Sequence, residues 1–200
     1  LEKRERTIAE QIVEESMLIA NETVACYLRD SENPSVYRIH ELPEPERLDM
    51  MRTVLSSFNL PMPDTESVKP ADFQKLLEMT KGTDEAAVVQ TIALRSMQQA
   101  RYSTTNAGHF GLASECYTHF TSPIRRYPDL MVHRLIRQYQ RRGKLTEEES
   151  QQSLSYHTIA ADQASSRERI AVEAERETDD LKKCQYMLPF IGQPFEAHIT

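Results

Sequence analysis

The sequence predicts an α+β fold, predominantly α-helical with a few short antiparallel strands. Two observations predict it. Apolar residues recur at helical spacing through most of the 200-residue chain, while alternating polarity is confined to Val36–His40, to Ser103–Thr121 and to the carboxyl-terminal tail.

Taken in order, Ile8, Ile12, Met17, Ala20, Val24 and Leu28 predict a first amphipathic helix that ends before Ser31-Glu-Asn-Pro34. Val36-Tyr-Arg-Ile-His40 reads as a short strand. Pro43 and Pro45 open a second helix with Leu48, Met51, Val54, Leu55 and Phe58 on its apolar face, and Leu60-Pro-Met-Pro63 stops it at a loop running to Lys69. Pro70 starts a short helix through Phe73, Leu76 and Leu77, closed by Gly82. A fourth begins near Asp84, with Val89, Ile92, Ala93, Ser96 and Ala100 on a narrow small-residue face. From Ser103 to Thr121 aromatics and threonines predict a β-hairpin or two short strands. A helix follows Pro128, carrying Met131, Leu135 and Tyr139 and stopping at Gly143. Thr146 and Glu149 form a capping box for a short helix. Beyond it, 156–188 lacks proline and glycine and reads as one long helix or two, with Ile159, Ile170, Ala174, Leu181, Cys184 and Leu188 as its apolar row.

Composition limits the functional classes. Hydrophobic residues at 39% and charged residues at 28% fit a folded, soluble chain. A net charge of -7 excludes a uniformly basic nucleic-acid coat. The basic residues are local instead: Arg125, Arg126, Arg134, Arg137, Arg141, Arg142 and Lys144 could line a channel or form a solvated helix face. Cysteines at 26, 116 and 184 suit reduced thiols and a cytoplasmic location, and no apolar run is long enough to span a bilayer. Cys116, His119 and His109 lack a second pair at ligand spacing, so no zinc site is expected. The sequon Asn21-Glu-Thr23 falls inside a predicted helix and reads as accidental.

The chemistry concentrates in Ser122-Pro-Ile-Arg-Arg-Tyr-Pro-Asp129. Arg125 and Arg126 carry permanent charge on planar donor forks, which suit phosphate oxygens better than a lysine ammonium does. Pro123 and Pro128 restrict the backbone on either side. Tyr127 and the amino end of the next helix complete a plausible site for a phosphate and a stacked base. The competing reading is that the arginines pair with acidic neighbours.

His109-Phe-Gly-Leu112, followed by Tyr117-Thr-His-Phe-Thr-Ser-Pro-Ile-Arg-Arg-Tyr-Pro-Asp-Leu-Met-Val-His-Arg134, resembles the catalytic-domain signature of the ribonuclease II and ribonuclease R family, closest to the ribonuclease R branch. Ile12-Val-Glu-Glu-Ser-Met-Leu-Ile-Ala-Asn21 and Ala174-Glu-Arg-Glu177 resemble further parts of it in the same order.

The resemblance implies the later part of an RNB catalytic domain over 1–188 and the start of an OB-fold RNA-binding domain over 189–200. It implies a bacterial 3'-to-5' exoribonuclease that acts on the 3' end of single-stranded RNA and releases nucleoside monophosphates. Arg125 would stabilise the reacting phosphate. Arg126, Tyr127 and Ser122 would hold the strand or orient the turn, and Glu14 or Glu15, with Glu175, would contact the terminal nucleotide. His109, Pro123, Asp129, His133 and Arg134 would support them. The family's Mg2+ ions are held by aspartates preceding this region, so no metal ligand is expected here and the isolated chain is expected to be inactive. Glu173, Glu177 and Asp180 share a helix face but read as a solvated stripe beside Arg176 and Lys183. A non-catalytic RNA-binding module and a helical interaction protein remain the alternatives.

Overall fold

The computed structural model describes residues 6–61 and 68–196. The chain divides into two compact units, Leu1–Pro43 with Gln98–Ala164, and Glu44–Met97 with Ser165–Thr200.

The first unit is built on α1 (Ile8–Asp30), β1 (Tyr37–Ile39), β2 (Arg101–Ser103), α5 (Tyr127–Arg142) and the opening turns of α6 (Glu147–Met187). Helix α1 starts at a reciprocal cap. Thr7 Oγ accepts from the Glu10 N–H, and the Glu10 carboxylate accepts from the Thr7 N–H at 2.8 Å. Ala25 and Leu28 are fully buried near its carboxyl end, whereas Ile8 and Ile12 are exposed. The expected apolar row is therefore core only in its later turns. Helix α5 begins with Pro128 in its first turn and ends where Gly143, at φ +74°, returns its N–H to Tyr139 O. Leu28, Val132, Leu135, Tyr139 and Leu145 form one apolar cluster, and Val36, Tyr102, Met131 and Ala161 form another.

The strand at 36–40 is present, but the expected hairpin is not. Strand β2 pairs antiparallel with β1, in the register Tyr37↔Ser103, Arg38↔Tyr102 and Ile39↔Arg101. Downstream, Phe110–Leu112 make a single 3-10 turn and Tyr117–Phe120 have no regular structure. The backbone groups there find partners around β1 instead: Arg38 N–H donates to Tyr117 O, His40 N–H to Gly108 O, and Phe110 N–H to His40 O. Thr118 Oγ donates to Val36 O at 2.6 Å. Apart from one antiparallel bridge between His109 and Ser114, the alternation at 103–121 thus records rings packed about β1, and 109–112 does not pair with 117–120.

Helix α6 also departs from expectation. The Thr146–Glu149 cap is formed, but it opens a single helix of 41 residues rather than a short one. Within the first unit its inward stripe is Ser153, His157, Ala160, Ala161 and Ala164. The large residues of the expected apolar row face outward: Ile159, Ile170, Leu181 and Leu188 are all more than half exposed. Small side chains let a helix approach its neighbours closely, and a pattern of large apolar residues misses such a face.

The second unit contains α2 (Pro45–Ser57), α3 (Pro70–Met79), α4 (Ala86–Ser96) and the rest of α6. Prolines open α2 and α3, as the sequence predicts. Helix α4 packs against both α2 and α3, burying Leu48, Met51, Leu55, Phe73, Leu76, Val89 and Ala93. Ala100 falls outside α4, which ends at Ser96. The loop expected from Leu60 to Lys69 lies mostly outside the described residues. In the tail, Leu188–Phe190 make a 3-10 turn and no strand forms over 189–196; residues 197–200 lie outside the described residues.

Candidate nucleic-acid interface

The Ser122–Arg126 turn is closed by its own backbone and then anchored by a buried carboxylate. Ser122 O accepts from the N–H groups of Arg125 and Arg126 at 3.3 and 3.1 Å. Asp129, in the first turn of α5 and 0% exposed, accepts through Oδ1 from the Ser122 N–H at 2.8 Å and from the Arg126 guanidinium at 2.7 Å. One carboxylate oxygen thereby ties the start of the turn to its end. The Oδ2 atom of Asp129 and the Nε of Arg126 are buried without a hydrogen-bond partner among the described residues.

The two arginines therefore differ. The Arg126 side chain is only 20% exposed and is paired. Arg125 is exposed and makes no ion pair among the described residues. Both line a cavity of about 280 Å³ with Glu14, Met17, Leu18, Asn21, Tyr117 and Thr121. The competing expectation of salt-bridged arginines holds for Arg126 and fails for Arg125.

Helix α1 supplies the opposite wall. Glu14 and Asn21 lie two helical turns apart on one face, and Glu14 also pairs with Arg6. Of the two candidate glutamates, Glu14 lines the cavity and Glu15 does not. Asn21 is buried, which excludes its sequon from modification in the folded chain. Its Nδ2 donates to the Tyr117 hydroxyl at 2.8 Å, and its Oδ1 accepts from the Phe120 N–H at 3.0 Å. His133 holds the same residue from the other side: its ring stacks on Phe120 at 4.1 Å, and its Nε2 lies 2.9 Å from Phe120 O.

Behind this wall runs a row of edge-on rings: Phe110, His40, His109, Tyr117, His119 and Tyr102. Burial pushes His119 down to about 3, reinforced by the nearby charges of Arg126 and Arg38. Burial likewise lowers His109 to about 4, with His40 adding to the shift. Both rings are neutral at ordinary pH, and the His119 Nδ1 is hydrogen-bonded to the Tyr102 hydroxyl at 2.8 Å. Gly111 donates its N–H to His40 Nδ1 at 2.9 Å, and a Cβ at this glycine would sit 2.7 Å from the same nitrogen.

The remaining sequence candidates are dispersed. Tyr127 is 46% exposed, and its hydroxyl meets that of Tyr156 at 3.0 Å. Arg134 is exposed on α5 without an ion pair among the described residues, as are Arg137 and Arg141, whereas Arg142 pairs with Glu149 and Lys144 with Glu32. Glu175 is exposed on the part of α6 assigned to the second unit. Glu173, Glu177 and Asp180 are solvated, with Asp180 paired to Lys183. Among the described residues no group of three acidic, histidine or cysteine side chains could hold a metal ion. Asn21, Tyr117 and Thr121 were missed as cavity residues. The available signal was Asn21's position two turns after Glu14.

Fold and site together define an RNB-type domain, and the chain belongs to the RNB domain family, whose model matches residues 1–142. The relatives are named as ribonuclease R. Ribonuclease R 1 of Lactococcus lactis subsp. lactis is 44% identical, covering 100% of this chain and 24% of that protein. Ribonuclease R of Thermotoga maritima is 42% identical, covering 98% of this chain and 28% of that protein. The solved structure of Mycoplasma genitalium RNase R in complex with ribose methylated single-stranded RNA matches at a TM-score of 0.85 and 29% identity, over 95% of this chain and 30% of that one. The chain spans about a quarter of the length of the curated relatives it matches.

Proposed function

We propose that this chain is part of a 3'-to-5' exoribonuclease that hydrolyses single-stranded RNA from its 3' end, and that the cavity between α1 and the Ser122–Arg126 turn receives the terminal nucleotide. One observation carries the reading. Arg125 is an exposed guanidinium on a braced turn, beside a cavity whose other wall presents the Glu14 carboxylate.

Cleaving a phosphodiester builds negative charge on the phosphoryl oxygens, and a fixed guanidinium stabilises that charge without having to reorganise. Arg125 fills this role. Arg126 braces the turn and contributes positive potential rather than a free donor fork. Glu14 can accept hydrogen bonds from a ribose, while Tyr127 offers an exposed ring for stacking. The ring row behind Tyr117 excludes water from one side of the site. The metal ions that such an enzyme uses to activate water would be held by residues outside this chain, as the family resemblance implies. On the same reading the chain alone does not cut RNA.

The test is Arg125→Ala in the intact protein, with turnover and RNA affinity measured separately. The reading expects turnover to fall on the order of 100-fold or more, with affinity changing far less. Equal losses in both would make Arg125 a binding residue. An isolated chain that binds RNA tightly, in an intact protein that never cleaves it, would favour the RNA-binding module.

A further inference from the structure

Segment 117–126 carries the arginine turn, yet it contains no helix or strand of its own until α5 begins. Its position is set by hydrogen bonds to three places, one made by its own Thr118 hydroxyl and the others by side chains of α1 and α5. Thr118 is tied to Val36 beside β1, Phe120 O and the Ser122 N–H are taken by His133 and Asp129 of α5, and the Phe120 N–H is taken by Asn21 of α1. Asn21 differs from the others in coming from the helix that also supplies Glu14, the opposite wall of the cavity.

We infer that Asn21 is a positioning residue for Arg125, setting the separation between the Glu14 wall and the arginine turn through its paired bonds to Phe120 and Tyr117. This rests on the role of Arg125 given above. The carboxamide is suited to the task because it both donates and accepts. Its Nδ2 satisfies the buried Tyr117 hydroxyl at 2.8 Å, while its Oδ1 satisfies the Phe120 N–H at 3.0 Å. At 3% exposure it has little access to water in place of either partner. Asn21 bonds protein groups with both ends, so its effect on the reaction is indirect. Cutting the link unpairs the buried Tyr117 hydroxyl and the half-buried Phe120 N–H, and frees the backbone two residues before Ser122, where the turn starts.

The experiment uses the intact protein with a short oligoribonucleotide, comparing Asn21→Ala, Asn21→Asp, Tyr117→Phe, Arg125→Ala and the double variant Asn21→Ala/Arg125→Ala. A displacement of about 1 Å at a reacting group costs on the order of 100-fold in rate. Asn21→Ala is accordingly expected to lower kcat roughly 10- to 100-fold with little change in KM. Asn21→Asp keeps an acceptor for the Phe120 N–H and recovers much of the loss; it also serves as the folded variant should Asn21→Ala not fold. Tyr117→Phe keeps the Phe120 bond and loses less than Asn21→Ala. Decisively, Asn21→Ala causes no further loss once Arg125 is alanine, because a residue acting through Arg125 has nothing left to position. If Arg125→Ala is impaired and the double variant is worse by the full product of the two losses, Asn21 acts independently and the inference falls while the role of Arg125 stands. Full activity in Arg125→Ala would bring down both. A KM rise at constant kcat in both Asn21 variants would also overturn it.

Discussion

Segment 117–126 and the distal part of α6 lie at opposite extremes of local order. In α6 backbone hydrogen bonds are satisfied within the helix, and side chains such as Ile170, Leu181 and Tyr186 stand exposed. Segment 117–126 has little internal pairing, so its peptide groups are claimed one at a time by Asn21, Asp129, His133 and the backbone of Arg38. A regular helix holds its shape almost whatever its surface carries. An irregular segment holds only if distant residues are right, and here that segment presents the candidate chemistry.

Mutations should affect the two regions unequally. The largest stability effect is expected at Asp129. Alanine there strands the Arg126 guanidinium and the Ser122 N–H, and loss of one partner of a buried ion pair costs about 3–5 kcal/mol. A urea-unfolding midpoint unchanged by Asp129→Ala would mean the turn is held some other way.

Next comes pH. His119 and His109 titrate near 3 and 4 in the folded chain, against an ordinary 6.5. Above 6.5 both states are neutral and stability is full. As pH falls below 6.5 the unfolded chain takes up protons that the folded rings refuse, so stability declines until the folded values are reached. Replacing His119 by Gln should flatten this acid-side decline by one proton's worth, up to about 1.4 kcal/mol per pH unit. An unaltered slope would show that His119 is not held neutral.

A smaller loss is expected from Gly111→Ala, whose methyl meets the His40 ring; overpacking of this kind costs about 1–3 kcal/mol. The smallest effect belongs to α6: Leu181→Ala should shift stability by about 0.5 kcal/mol or less, as exposed substitutions do. A larger destabilisation from Leu181→Ala than from Gly111→Ala would invert the comparison.

Local signals made the helices legible. Pro45, Pro70 and Pro128, the Thr146 cap and Gly143 each act within a few residues of themselves, and each sits where the sequence places it. The hairpin expectation failed because 117–120 takes its partners from α1, α5 and the β1 region rather than from 109–112; Asn21 and Tyr117 are 96 residues apart. The buried stripe of α6 was hidden because serine, alanine and histidine form it, while the isoleucines and leucines that attract a hydrophobic reading point outward. In the arginine turn the pair was evident but its division of labour was not. The one clue was the i,i+3 spacing of Arg126 and Asp129, which the structure makes into a buried ion pair.

The central claim is that one arginine of the pair is free for the reaction and the other is a brace. The direct measurement is single-turnover cleavage by the intact protein carrying Arg125→Lys or Arg126→Lys, with unfolding midpoints determined in parallel. The account predicts that Arg125→Lys slows cleavage with stability unchanged, because a point charge replaces the fork, and that Arg126→Lys lowers stability more than it slows cleavage. The opposite assignment, with Arg126 controlling the chemical step and Arg125 the stability, would contradict it.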